Sequence, residues 1–299
     1  MTGDTVSLFV NPKAGRGRAG RRFQRIEQLF ANSGIATQVT KSRSAGDLEE
    51  AVTEAVNAGA KRVVVVGGDG SVHEAVNGIL RTGANASLGI VPAGTGNDFA
   101  KACGIPLAWE HATQLLIERL VSRAPTRAID VGRMNDRYFA NGAGIGFDAR
   151  VTRIANSYRW PIGNLVYLLA ILRCLYDGIA TPELEIQSED DAWRGPVTLV
   201  SLSNGPWAGG MFHIAPFANN ADGKLNLLLV KPVSRTRILF LLPKLIQGRH
   251  MNEPDVVHKT VHVVTVTAAS AIESHLDGEV QPPQTRFEIE LLPGALNLL

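Results

Sequence analysis

Cysteine is nearly missing from this chain of 299 residues: only Cys103 and Cys174 occur, each in an apolar or helical context, with no pair at metal-ligand spacing. The sequence thus offers no thiolate metal motif, and a reducing, cytoplasmic setting is expected. Long hydrophobic runs are missing too. The longest, Leu165 to Tyr176, is interrupted by Arg173 and falls short of the ~20 residues that a spanning helix needs. Association with a membrane is therefore expected to be peripheral. Met1 to Asp4 lead straight into the strand-like Val6 to Val10, with no charged leader and apolar core of a secretion signal. There is no excess charge of either sign. The net +2 provides no broad basic field, so nucleic acid is not an expected partner, although Arg16, Arg18, Arg21, Arg22 and Arg25 crowd one short stretch. Neither a repeat of 20 to 50 residues nor a low-complexity tract is visible.

What is present is a globular composition, 45% apolar and 19% charged, with length for two domains. Strand and helix signals alternate over the first 128 residues. Val6 to Val10, Ala36 to Thr40, Val63 to Val66 and Leu88 to Val91 are short apolar or β-branched runs closed by glycine, serine or proline. Between the second and third, Leu48, Ala51, Val52, Ala55 and Val56 share one helical face, with Ser44 and Asp47 marking its start. Val72, Ala75, Val76, Ile79 and Leu80 repeat that spacing, and Ser71 with Glu74 reads as a capping box. This is the pattern of a parallel α/β sheet.

Residues 129–299 read differently. Ala128 to Met134 and Tyr138 to Gly142 flank Asn135-Asp136 as a hairpin; strand-like runs follow at Leu184 to Gln187, Val197 to Ser203, Leu225 to Val230, Val256 to Thr267 and Phe287 to Leu292. Helical signals at Phe147 to Tyr176 and Arg235 to Gln247 interrupt them. The expected fold is an α/β domain over 1–128 followed by a β-rich domain over 129–299.

Chemistry concentrates in glycine turns. Val63 to Val66 run into Gly67-Gly68-Asp69-Gly70-Ser71, which delivers backbone N–H groups to the start of a helix. Such a turn suits a phosphate, because glycine permits close approach and a helix N-terminus is electropositive. It is equally the form of a ligand-free strand-to-helix turn. A second turn, Gly94-Thr95-Gly96-Asn97-Asp98, follows the next strand in the same topological position, so the two are expected to line one crevice outside the sheet. Asn97 also suits a plain helix cap. The first turn, Asn11 to Gly20, holds a literal G-x-G-x-x-G, but the residues about 20 positions on are Val39-Thr40-Lys41 with Arg43 nearby, not the acid of a dinucleotide site.

Asn11-Pro12-Lys13-Ala14-Gly15-Arg16-Gly17, the GGDGS turn, the GTGNDFA turn and Leu276-Asp277-Gly278-Glu279 occur in that order. Together, over almost the whole chain, they resemble the diacylglycerol kinase catalytic family, which includes bacterial lipid kinases and sphingosine kinases. The resemblance implies a first domain like phosphofructokinase and NAD kinase, a β-sandwich second domain, and ATP between them with Mg2+. It implies nucleotide contacts from Asn11, Thr40 on the adenine side, Gly67, Gly68, Asp69, Gly70, Ser71 and Val72 on the phosphates, and Gly94, Thr95 and Asn97. Asp69 and Asp98 would manage magnesium and the transferring phosphate, and Glu279 would be the general base. Asp130 resembles another active-site acid, and an aspartate between Ile129 and Val131 needs a reason to be there. Asp222, with the main chain of Asn219 and Lys224, resembles a structural magnesium site, though Asp-Gly is also an ordinary turn. Arg159 loosely matches a phosphate-contacting lysine. Zinc modules and calcium loops of the eukaryotic enzymes have no counterpart, which is the compact bacterial form.

The implied partner is a lipid substrate at a membrane surface, and a homodimer is left open. Leu165, Leu168, Leu169 and Leu172 share a helical face that suits either a lipid groove or the core. Three other readings remain: a kinase of a soluble substrate such as NAD, a non-catalytic lipid-binding protein, and an NADP-dependent oxidoreductase using Gly15, Gly17 and Gly20.

Overall fold

A computed structural model describes residues 5–158 and 163–299. The chain forms two compact units, Met1–Asp130 with Pro293–Leu299, and Val131–Leu292. It crosses from one to the other twice, at 130/131 and 292/293, where the sequence reading has one boundary at 128. Arg159 lies outside the described residues.

In the first unit the order is β1 (Val6–Val10), α1 (Ala14–Asn32), β2 (Thr37–Lys41), α2 (Asp47–Asn57), β3 (Arg62–Gly67), α3 (Asp69–Leu80), β4 (Ser87–Pro92), α4 (Asp98–Ala102) and α5 (Trp109–Val121). The four strands pair in parallel in the order β2-β1-β3-β4. Val63 to Val66 are all fully buried, because helices cover both faces of a parallel sheet and leave no strand residue a wet side. Phe23, Ile26 and Phe30 of α1 repeat every three to four residues and close one face over Leu8, Val64 and Val66. Asn297 and Leu298 add in parallel to β4, so the last residues of the chain belong to this sheet.

The capping box expected at α3 does not form. The helix starts at Asp69, two residues before Ser71, and its N-cap is Gly68. The Glu74 carboxylate instead accepts the Leu48 backbone N–H at 3.0 Å and so caps the neighbouring helix α2. Both helices need donors satisfied, and the packed neighbour offers the better geometry.

The second unit is antiparallel. It runs from β5 (Arg127–Met134) through β6 (Arg137–Phe139), β7 (Gly142–Gly146), α6 (Phe147–Ser157), α7 (Leu165–Asp177), β8 (Glu183–Ser188), β9 (Ala192–Pro196), β10 (Leu199–Ser203), β11 (Leu225–Val230), α8 (Arg235–Ile246), β12 (Val256–Val261) and β13 (Val263–Leu276) to β14 (Glu279–Leu298). Met134 pairs with Arg137 across Asn135-Asp136, as the hairpin signal predicts. The single helical segment read from Phe147 to Tyr176 is two helices. Strand β13 changes partner along its length: Val264 to Ala268 pair with β8, whereas Ser274 to Leu276 pair with β7, with register shifts between. Such a bulged strand lets one hairpin pair with two different strands over a shared core of Ile145, Leu202, Leu225, Val264 and Phe287.

Helix α7 buries Ala170, Ile171, Cys174 and Leu175, while Leu165 and Leu172 are exposed and Leu168 and Leu169 half-buried. The leucine stripe is therefore not the core face of this helix.

Candidate functional site

Three turns follow the C-terminal ends of β1, β3 and β4, and their backbones touch. A Cβ on Gly68 would lie 2.8 Å from the Gly94 Cα, and one on Gly15 would run into the Ala93 carbonyl oxygen. Only glycine permits either approach. Arg18 stitches the turns together, its Nε donating to the Gly15 carbonyl at 2.9 Å and its Nη2 to the Gly94 carbonyl at 3.0 Å. One member of the arginine cluster therefore shapes the crevice. Asn11 donates to the Ser71 hydroxyl at 3.3 Å and accepts the Lys13 N–H at 3.0 Å, tying the first turn to the second.

Asn97 stands at the N-cap position of α4 in a left-handed conformation, φ 52°, but caps nothing with its side chain. Its Oδ1 accepts the Gly94 N–H at 2.9 Å and its Nδ2 donates back to the Gly94 carbonyl at 3.3 Å, closing the turn on itself. Thr95 is exposed, and Val72, in α3, is buried. Thr40 is half-buried on β2, in register with Phe9.

The structure brings Asp69 and Asp98 together. Asp69 accepts the Phe99 N–H at 3.3 Å, and burial, reinforced by the negative charge of Asp98, pushes its carboxyl up to about 7. Lys101, one turn along α4, holds Asp98 at 2.6 Å. Two crowded carboxylates, each at the start of a helix, fit the donor set of a divalent cation that would take its remaining ligands from phosphate and water. This is chemistry the residues fit.

Asp130 is buried and accepts the Gly294 N–H at 2.8 Å, clasping the two segments where the chain crosses between units. That bond gives the aspartate its reason to lie between apolar neighbours. Asn219, Asp222 and Lys224 are exposed. The side-chain oxygens of the first two serve the turn itself: Asn219 Oδ1 accepts the Ala221 N–H at 3.2 Å and Asp222 Oδ1 the Lys224 N–H at 3.1 Å. This is the geometry of two successive Asx turns.

In the second unit Glu279 opens β14, exposed, after a two-residue hairpin loop in which Asp277 has φ 51° and Gly278 φ 89°. Positive φ at both loop positions is the turn that Asp-Gly encodes. Asp277 is an anchor: its carboxylate accepts the backbone N–H groups of Ala140, Asn141 and Gly142 at 2.9, 2.8 and 2.9 Å. Asn204 holds the same segment from the other side through the Ala140 carbonyl at 2.7 Å. Asn141 and Asn204 escape a sequence reading, because an asparagine that braces backbone is indistinguishable there from one in a turn.

Closeness of the glycine turns gives a direct test. Gly94→Ala is expected to destabilise the protein by about 1–3 kcal/mol in a denaturant titration, since a methyl group must push two backbones apart. A stability unchanged from the parent would show that the turns have room for the methyl group.

The family model for the diacylglycerol kinase catalytic domain matches residues 5–134, and that for the YegS C-terminal NAD kinase beta sandwich-like domain matches residues 142–299. The chain is 31% identical to a diacylglycerol kinase of Mycobacterium tuberculosis, over 98% of this chain and 94% of that one. It is 29% identical to a diacylglycerol kinase of Bacillus subtilis, over 91% and 88%. A crystal structure of a diacylglycerol kinase from Bacillus anthracis superposes with a TM-score of 0.80 at 25% identity, covering 100% of this chain and 97% of that one. With both units matched in order and a relative above 30% identity along nearly the full length, the chain belongs to the lipid kinase family defined by the diacylglycerol kinase catalytic domain.

Proposed function

We propose that this protein transfers the γ-phosphoryl group of ATP to the hydroxyl of a lipid, diacylglycerol or a related one, as a peripheral enzyme working from the cytoplasmic side of a membrane. The observation that carries the reading is the contact of the Gly68 and Gly94 turns beside the Asp69–Asp98 pair, in a chain of this family. Phosphoryl transfer asks for cradled phosphates, countercharge between their oxygens, and an oriented acceptor. Gly67 to Val72 and Gly94 to Asn97 supply the cradle, with Asn11 behind it and Thr40 on the adenine side. Asp69 and Asp98 would hold Mg2+, which when bound offsets the charge that builds on the phosphate oxygens.

Glu279 takes the proton from the lipid hydroxyl. The freed oxygen forms a bond to the γ-phosphorus as the bond from that phosphorus to its bridging oxygen breaks, and ADP leaves. Asp130 belongs to the acids of this site in the same reading, and the loop of Asn219, Asp222 and Lys224 is assigned a structural magnesium.

Lipid as the acceptor is supported by exposed apolar side chains in the second unit: Leu165, Leu172 and Tyr176 on α7, Leu239 and Phe240 on α8. Among the described residues no helix is long and apolar enough to cross a membrane. Incubation with γ-labelled ATP and Mg2+ and either lipid vesicles from a total extract or NAD decides the acceptor. Label is expected in the organic phase. Label confined to the aqueous product would sink the lipid assignment in favour of a soluble substrate.

A further inference from the structure

Two ionisable groups of the second unit take no part in the reaction as read above, yet are packed directly behind the turn that carries Glu279. His275, on β13, is buried, and its Nε2 lies 3.0 Å from Oδ2 of Asp148 on α6. A carboxylate only accepts, so Nε2 carries the hydrogen in the neutral ring and Nδ1 is left as an acceptor. The Gly278 N–H donates to that Nδ1 at 3.3 Å.

Room for the pair comes from the opposing strand. His275 stands across from Gly144 of β7, and a Cβ at Gly144 would collide with both Asp148 Oδ2 and His275 Nε2. Backbone freedom is not the reason for this glycine; the volume of the His275–Asp148 pair is. Helix α6 also supplies Asn156, about two turns beyond Asp148, whose Nδ2 donates to the Gly278 carbonyl at 3.0 Å. Both peptide units flanking Gly278 are thus pinned from α6, one through His275 and one through Asn156. The second of those peptides leads into Glu279.

We propose that Asp148 and His275 are positioning residues for Glu279: Asp148 selects the imidazole tautomer that accepts the Gly278 N–H, and this bond fixes the direction in which Glu279 leaves the hairpin. The inference rests on the assignment of Glu279 as the base. It follows that the arrangement is sensitive to protonation. An imidazolium has hydrogens on both nitrogens, so its Nδ1–H would confront the Gly278 N–H, donor against donor.

Burial works against charging the ring, but the charge of Asp148 and its hydrogen bond outweigh this and raise the His275 pKa above its ordinary value. Asp277 and Glu279, from the turn, push in the same direction. Glu273, two residues back on β13, is paired with Arg153 of α6 at 2.9 Å, and β7 contributes only Gly144 opposite. The linkage has opposite signs for stability and for rate. A raised histidine pKa adds stability that is fully present below the unfolded value and is lost as pH rises through the folded value. The positioned turn, by contrast, exists only above the folded value.

The test is an NMR titration of the full chain, following the His275 ring nitrogens and the Gly278 amide, alongside kcat against pH. The ring is expected as the Nε2–H tautomer at high pH, and the Gly278 amide is expected to shift with the same midpoint as the ring. Asp148→Asn, which keeps the shape and removes the charge, should move both midpoints down by about one pH unit or more, and the acid limb of kcat should follow. In His275→Phe, with folding verified by its melting temperature, kcat should fall about tenfold while the KM for ATP stays within about twofold. A Gly278 amide that does not titrate with His275, or an acid limb unmoved in Asp148→Asn, overturns the proposal. Glu279→Gln is measured in parallel: if it retains turnover, the base assignment fails, whereas the NMR result stands or falls independently.

Discussion

Glu279→Gln is expected to lower kcat by about 10²–10⁴, equivalent to about 3–5 kcal/mol of transition-state stabilisation, while leaving ATP affinity and melting temperature close to those of the parent. The size follows from the chemistry assigned to it. An alcohol is a poor nucleophile until its proton is taken, and the glutamine amide is isosteric with the carboxylate but cannot take it. The small effect on stability follows from the structure: Glu279 is exposed at the first position of β14, and the hairpin is secured by other groups. A substitution at an exposed position that keeps the side chain's shape is expected to stay within about 0.5 kcal/mol.

Its neighbour separates the two roles. Asp277→Ala should also lose activity, but for a different reason, because three backbone N–H groups lose their acceptor at once. Its melting temperature must therefore fall, where that of Glu279→Gln does not. Single-turnover kinetics with saturating ATP, calorimetry with a non-hydrolysable ATP analogue, and thermal melts measure all three quantities. Turnover of Glu279→Gln within threefold of the parent would remove Glu279 from its assigned role, whatever the binding data show.

Some of this was legible because the signal is local. Four buried parallel strands must be apolar on both faces, so Val63 to Val66 announce themselves, and Asn135-Asp136 between two strand-like runs marks a hairpin. The glycine turns were readable as turns. That Gly68 and Gly94 touch was not, since it depends on the offset between β3 and β4 in the sheet. Ser71 and Glu74 satisfy a local rule for a capping box, yet Glu74 goes to Leu48, 26 residues away, because α2 packs alongside and has donors of its own to satisfy. The return of Asn297 and Leu298 to β4 has the same cause: parallel pairing leaves no turn signature. His275 and Asp148 are 127 residues apart, and only the cross-strand register that places Gly144 opposite His275 brings them into one space.

The Asp69 carboxyl carries the second large effect, and here loss of activity should coincide with a gain in stability. Burial and the charge of Asp98 raise its pKa from 3.8 to about 7. Between those values the folded protein binds a proton that the unfolded chain has already released, so stability falls as pH rises through that window. Above it the folded state carries the full cost of ionising Asp69 beside Asp98. An asparagine side chain in its place would be neutral at every pH and could still accept the Phe99 N–H. Asp69→Asn is therefore expected to melt several degrees above the parent at pH 8, with the difference vanishing near pH 4, and to be inactive as a kinase. Cation binding should reverse the order. Mg2+ with nucleotide can take the place of the proton between the two acids, so the parent should gain more melting temperature from it at pH 8 than at pH 6, and chelation should remove the gain. Differential scanning calorimetry across this pH range reads each of these differences. A variant no more stable than the parent at pH 8 would mean that the two acids are not in electrostatic conflict, and the case for a cation between them would go with it.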